Sequence, residues 1–115
     1  MTTQIFHNPR CSKSRQTLDL LDDNNEEIEV IEYLKKPATV KQLKAIIKML
    51  GINPRDLLRK GEKEYREAGL DNMALTDAQL IDAMAAHPKL IERPIVIKNG
   101  QARIGRPPEQ VLEIL

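Results

Sequence analysis

The feature that most constrains the fold lies near the N-terminus, where the hydrophobic period changes twice. Gln4-Ile5-Phe6 reads as a short strand leading into a proline-containing loop. Ser14, Thr17, Leu18 and Leu21 then recur at helical spacing, which predicts an amphipathic helix from about Ser12 to Asp23. Asn24-Asn25 breaks it, and Ile28-Glu29-Val30-Ile31-Glu32-Tyr33 reads as a second strand. A strand, one helix and a strand at this length form a βαβ unit, whose two strands run parallel.

The middle of the chain is helical in pattern. Thr39 with Gln42 forms a capping box ahead of an apolar stripe of Val40, Leu43, Ile46, Ile47 and Leu50, and Gly51 supplies the stop. Asn53-Pro54 opens a short helix, with proline at the first helical position. Thr76 with Gln79 repeats the capping box before Leu80, Ile81 and Met84, and His87-Pro88 ends that helix. Further on, Pro94-Ile95-Val96-Ile97 and Gln101-Ala102-Arg103-Ile104 flank Asn99-Gly100, the preferred pair for a type I′ hairpin turn. Pro107-Pro108 opens a final helix carrying Val111, Leu112, Ile114 and Leu115. The order is βαβ, a helical insertion, then ββα. It predicts an α/β protein with a thioredoxin-like mixed sheet: a single domain over residues 1–115, with the insertion at about 39–91.

Composition removes several function classes. A chain of 115 residues holds one domain with a sizeable core. A net charge of +1 gives no reason to expect nucleic-acid binding, and scarce aromatics argue against a stacking platform for single strands. No apolar run reaches membrane-spanning length, and Met1 to His7 lacks the pattern of a secretory signal. One cysteine cannot form an internal disulfide, so the expected compartment is the reducing cytoplasm. Charge is unevenly spread. His7 to Arg15 carries Arg10, Lys13 and Arg15 with no acid, whereas Gln16 to Leu34 carries Asp19, Asp22, Asp23, Glu26, Glu27, Glu29 and Glu32 with no base. The acidic stretch reads as a solvated surface.

The basic cluster surrounds Cys11, at the junction of the first loop and the first helix. A free thiol has a pKa near 8.5, so only about 3% is thiolate at pH 7. Lowering that value by ~2 units makes roughly three-quarters of it reactive, at ~2.7 kcal/mol of differential stabilisation. A helix N-terminus contributes ~0.3–1 kcal/mol to a nearby anion, so backbone donors, hydroxyls and cations must supply the rest. Ser12, Ser14, Arg10, Lys13, Arg15 and His7 are near enough in sequence to contribute. The same groups suit an oxyanion. A lone cysteine is otherwise a small buried hydrophobe, a reading this setting disfavours. His7 at a strand end is either a packed bystander or a group that stabilises the thiolate and carries protons. Two histidines and one cysteine at scattered positions match no metal-ligand spacing.

Four segments carry a resemblance: His7-Asn8-Pro9-Arg10-Cys11-Ser12-Lys13-Ser14-Arg15, Leu57-Leu58-Arg59-Lys60, Glu92-Arg93-Pro94-Ile95-Val96 and Gly105-Arg106-Pro107-Pro108-Glu109. In this order and spacing they resemble the glutaredoxin-dependent arsenate reductase family over almost the whole chain. The resemblance implies that Cys11 attacks arsenate and forms a thiol–arsenate ester. It implies that His7 lowers the cysteine pKa, that Ser14 hydrogen-bonds the thiolate, and that Arg59, Arg93 and Arg106 line an oxyanion pocket. Forked planar donors suit a tetrahedral oxyanion better than lysine does.

The resemblance further implies no bound cofactor, with glutathione as co-substrate and glutaredoxin as the partner that completes the two-electron reduction. It also implies a cis Arg93-Pro94 peptide before the third strand. Ser12-Lys13 stands where members of the family often have Gly-Thr, with Arg10 before the cysteine. Two other functions fit a thioredoxin-like fold: a glutathione-linked oxidoreductase of another substrate, and a regulatory module that binds RNA polymerase. The related redox sensors carry Cys-x-x-Cys, whereas this chain pairs Cys11 with Ser14, which argues against a disulfide switch.

Overall fold

The computed structural model describes residues 2–115. Its elements follow the order β1 (Thr3–Phe6), α1 (Ser12–Asp23), β2 (Ile28–Ile31), α2 (Val40–Leu50), α3 (Lys63–Glu67), α4 (Asp77–Ala86), β3 (Ile95–Lys98) and β4 (Gln101–Ile104). Short 3₁₀ helices cover Pro54–Leu57, Pro88–Leu90 and Pro108–Ile114. The chain divides into two compact units, one formed by residues up to Lys36 with Arg93–Leu115, the other by Pro37–Glu92.

The first unit holds a four-stranded mixed sheet in the order β2-β1-β3-β4. β1 pairs with β2 in parallel, Ile5 opposite Val30, as a one-helix crossover requires. β3 runs antiparallel to both β1 and β4. Asn99 and Gly100 both take positive φ, 54° and 74°, the conformation of the tight primed turn that joins β3 to β4. Ile5, Leu21, Val96, Val111 and Ile114 form the core between sheet and helices. Each fully buried aliphatic side chain there is worth ~1.5–3 kcal/mol.

Two expectations change in this unit. β2 stops at Ile31, because the backbone folds back at Glu32, whose carbonyl accepts from the N–H groups of Lys35 and Lys36. Tyr33, read as strand, is instead buried in that turn, its ring stacked 6.5 Å from Phe6. The last helix is 3₁₀ rather than α. Residues three apart align in a 3₁₀ helix, and Pro108, Val111 and Ile114 are the buried ones. The Arg93-Pro94 peptide is cis, as expected, and so is Arg106-Pro107.

The second unit contains the helices of the middle segment. Both capping boxes form, Thr39 with Gln42 and Thr76 with Gln79, and Gly51 closes α2 in the left-handed conformation at φ 71°. α2 buries Leu43, Ile46 and Ile47, while α4 buries Leu80, Ile81 and Met84. α3 has no counterpart in the sequence reading, since only Tyr65 of its five residues is buried and no apolar stripe announces it. Among the described residues, no helix is long and apolar enough to cross a membrane.

Candidate active site around Cys11

Cys11 is the N-cap residue of α1, with extended backbone angles of φ −93° and ψ 122°. Its side chain offers no cap to the helix, so the first N–H groups are left for another acceptor. The backbone N–H groups of Ser14 and Lys13 nonetheless favour negative charge on the Cys11 sulfur. The residue is only 8% exposed. Burial pushes the thiol pKa up, but the Ser14 N–H, the charge and hydrogen bond of Arg93, and the Lys13 N–H together hold it below the ordinary thiol value. Arg106 stands on the same sulfur, with Nη2 at 3.6 Å, and its Nε donates to the Arg93 carbonyl at 2.7 Å. Cys11, Arg93 and Arg106 therefore converge from three separate segments of one unit.

Ser14 reaches the sulfur through its backbone, and its hydroxyl has other work. Ser14 is fully buried, and its Oγ accepts the Asn8 N–H at 3.0 Å. The same oxygen lies 2.7 Å from His7 Nδ1. Nδ1 is the acceptor available to the hydroxyl proton among the described residues, so the hydroxyl donates and His7 carries its own proton on Nε2. His7 is buried, which lowers its pKa; the Glu32 carboxylate raises it in part, and Arg15 lowers it further. A neutral imidazole is thus the form the site favours. The loop is tied at more points: Cys11 N–H bonds to the Asn8 carbonyl, Arg10 N–H to Asn8 Oδ1, and Arg15 to the Pro9 carbonyl, each at 3.0 Å.

Gly105 supports the arginine cluster. Its N–H bonds to the Pro94 carbonyl at 2.9 Å, and a Cβ there would lie 2.5 Å from Thr17 Oγ1 and 2.9 Å from Pro94 Cγ. Only glycine lets the end of β4 close on α1 and deliver Arg106 to Cys11. The sequence reading names Thr17 on the helical stripe and Asn8 and Gly105 within the matching segments, but gives none of them a role in the site. Each supports it through packing and backbone hydrogen bonds rather than a reactive group.

Arg59 belongs to the second unit and is held there. Its N–H bonds to the Leu90 carbonyl at 2.7 Å, and its Nη2 pairs with Glu62 at 2.8 Å. A further contact runs from Nη1 to the Lys89 carbonyl at 3.4 Å. Among the described residues, no group of three or more His, Cys, Asp or Glu side chains could hold a metal ion.

A helix-start cysteine beyond the first strand of a four-stranded mixed sheet is the active-centre layout of thioredoxin-like proteins. The ArsC family model matches residues 6–114. Over its whole length the chain is 55% identical to the uncharacterized protein YfgD of Escherichia coli (strain K12), covering 99% of that protein. It is 47% identical to an arsenate reductase of Haemophilus influenzae, with both chains fully covered. The solved structure of an arsenate reductase from Vibrio cholerae superposes with a TM-score of 0.97 at 53% identity, covering 100% of this chain and 98% of that one. The chain belongs to the ArsC family.

Proposed function

We propose that this chain is a thiol-dependent reductase that converts arsenate to arsenite, with Cys11 as nucleophile and with glutathione and glutaredoxin supplying the electrons. The observation that carries the reading is the Cys11 sulfur in a cradle of backbone N–H groups, with Arg93 and Arg106 beside it. The relatives named arsenate reductase support the choice of oxyanion.

In this cycle the thiolate attacks arsenic(V), and one arsenate oxygen leaves as water after protonation. Glutathione adds its thiolate to arsenic, and a second oxygen leaves in the same way. A glutaredoxin thiolate then attacks the glutathione sulfur. The electron pair of the sulfur–arsenic bond passes to arsenic, giving arsenic(III) still on Cys11 and a mixed disulfide between glutaredoxin and glutathione. Water cleaves the remaining bond, releasing arsenite and restoring the Cys11 thiolate. Two external thiols supply two electrons, which matches a chain with one cysteine. No bound cofactor is needed, and the reaction belongs in the reducing cytoplasm.

The arginines offset the oxyanion charge as the sulfur–arsenic bond forms. The family resemblance extends oxyanion binding to Arg59 as well. His7 and Ser14 hold the loop that presents the N–H groups. Arg10 and Ser12-Lys13, where the chain departs from the commoner pattern, flank Cys11 in sequence. The test is direct quantification of arsenite from arsenate with glutathione and glutaredoxin present. Its absence under every thiol donor would leave a thiol reductase of another substrate.

A further inference from the structure

Residues 7–10 also line a pocket of about 360 Å³, together with Glu32, Leu34 and Lys35. That volume is at the lower end of the ~300–1,000 Å³ usual for small-molecule sites. We propose that this pocket seats the external thiol co-substrate, a small peptide thiol with two carboxylates and one ammonium group, which is the chemistry of glutathione. The inference rests on the proposed need for such a thiol and assigns it a place.

The polar groups around the pocket match that charge pattern. His7 Nδ1 is committed to Ser14, and its Nε2–H has no protein partner among the described residues, so a buried imidazole has a donor left for a ligand. The Arg10 side chain likewise has no hydrogen-bond or ion-pair partner among the described residues. Among the described residues the Lys35 ammonium meets only Glu32, at 3.6 Å, with the two side chains 80% and 41% exposed. So open a pair contributes little and exchanges readily. A ligand carboxylate can take Lys35 or Arg10, and Glu32 is then available for the ligand ammonium. Leu34, an exposed apolar residue, offers a surface for the ligand's methylene groups.

Reach supports the placement too. The Cys11 N–H bonds to the Asn8 carbonyl at 3.0 Å, so one turn of the chain separates the pocket wall from the reactive residue. An extended tripeptide spans ~10 Å, enough to anchor a charged end in the pocket while its thiol meets arsenic on Cys11.

The experiment titrates the full chain with S-methylglutathione, which cannot react, by amide NMR and calorimetry. Saturable shifts should centre on Arg10, Glu32, Leu34 and Lys35. Lys35→Glu should raise the Kd about tenfold or more, the expected loss for reversing a charge-assisted contact, and Lys35→Arg should retain binding. In turnover, Lys35→Glu should raise the KM for glutathione while leaving the KM for arsenate and the kcat at saturation unchanged. Equal binding by Lys35→Glu, or shifts confined to another surface, would overturn the assignment. So would the same shifts with inorganic phosphate, which would mark a general anion site. Normal arsenite formation with an unaltered glutathione KM in Lys35→Glu sinks the pocket and leaves the reductase reading intact. Pocket binding without any arsenite supports the pocket and removes that reading.

Discussion

Arg106 reaches Cys11 with Nη2 3.6 Å from Sγ, held there by the hydrogen bond from its Nε to the Arg93 carbonyl. The two arginines act differently on the sulfur. Arg93 lowers the thiol pKa through its charge and a hydrogen bond, whereas Arg106 adds a second forked donor above it. Arg93→Ala should therefore raise the thiol pKa, read from thiolate absorbance against pH. Arg106→Ala should cut kcat/KM for the oxyanion about tenfold to a hundredfold, the loss expected from one charged hydrogen bond of ~1.5–3 kcal/mol. An Arg106→Ala enzyme with unchanged kcat/KM would exclude the arginine from substrate binding.

Ser14→Ala separates backbone from hydroxyl. The hydroxyl bonds Asn8 and His7, and the Ser14 N–H serves the sulfur. Losing a buried hydroxyl leaves the Asn8 N–H unsatisfied, at a cost of ~1–3 kcal/mol. Denaturant unfolding should show that loss while the Cys11 pKa stays depressed. A thiol that returns to its ordinary value would mean that the hydroxyl acts on the sulfur directly.

Gly105→Ala should destabilise the first unit, because the added methyl group meets Thr17 Oγ1 at 2.5 Å and Pro94 Cγ at 2.9 Å. Such overpacking costs ~1–3 kcal/mol. Thr17→Ala in the same chain should recover part of it, a coupling that a double-mutant cycle of unfolding free energies detects. Additive losses would contradict the close approach.

Acid should weaken the fold in two windows. Burial holds the His7 pKa below its ordinary 6.5, so the unfolded chain takes up that proton first, and stability falls as pH drops from about 6.5 to the lower folded value. Glu26 is held below its ordinary 4.5 by hydrogen bonds from Lys98 and Thr3, both 2.6 Å from Oε1. Its contribution is present above 4.5 and is lost as pH falls towards the folded value. Thermal unfolding followed against pH should show both declines, and Glu26→Gln should flatten the lower one alone. A melting temperature flat from pH 7 to pH 5 would contradict the state assigned to His7.

Local signals carried much of this structure. Asn99-Gly100 marked the hairpin, and Thr39/Gln42 and Thr76/Gln79 marked two helix starts, because each motif satisfies its own backbone within a few residues. The convergence of Arg93 and Arg106 on Cys11 was legible only through the family pattern, since no local rule brings together residues so far apart in sequence. The 3₁₀ ending and the burial of Tyr33 escaped the pattern. Both depend on what the sheet presents to the chain rather than on the segment itself. The division of labour within Ser14 was equally hidden, because sequence names a residue and not which of its atoms faces the sulfur.

The central claim is that Cys11 attacks the oxyanion and two external thiols supply the electrons. It is tested most directly by measuring arsenite formed by the wild-type chain and by Cys11→Ser with each thiol donor alone and with both together. Serine keeps the shape and hydrogen-bonding capacity, but its hydroxyl stays protonated near neutral pH. The account predicts catalytic arsenite formation only from the wild-type chain supplied with both glutathione and glutaredoxin, and none from Cys11→Ser. Turnover by Cys11→Ser, or by the wild-type chain with thioredoxin and no glutathione, would contradict it.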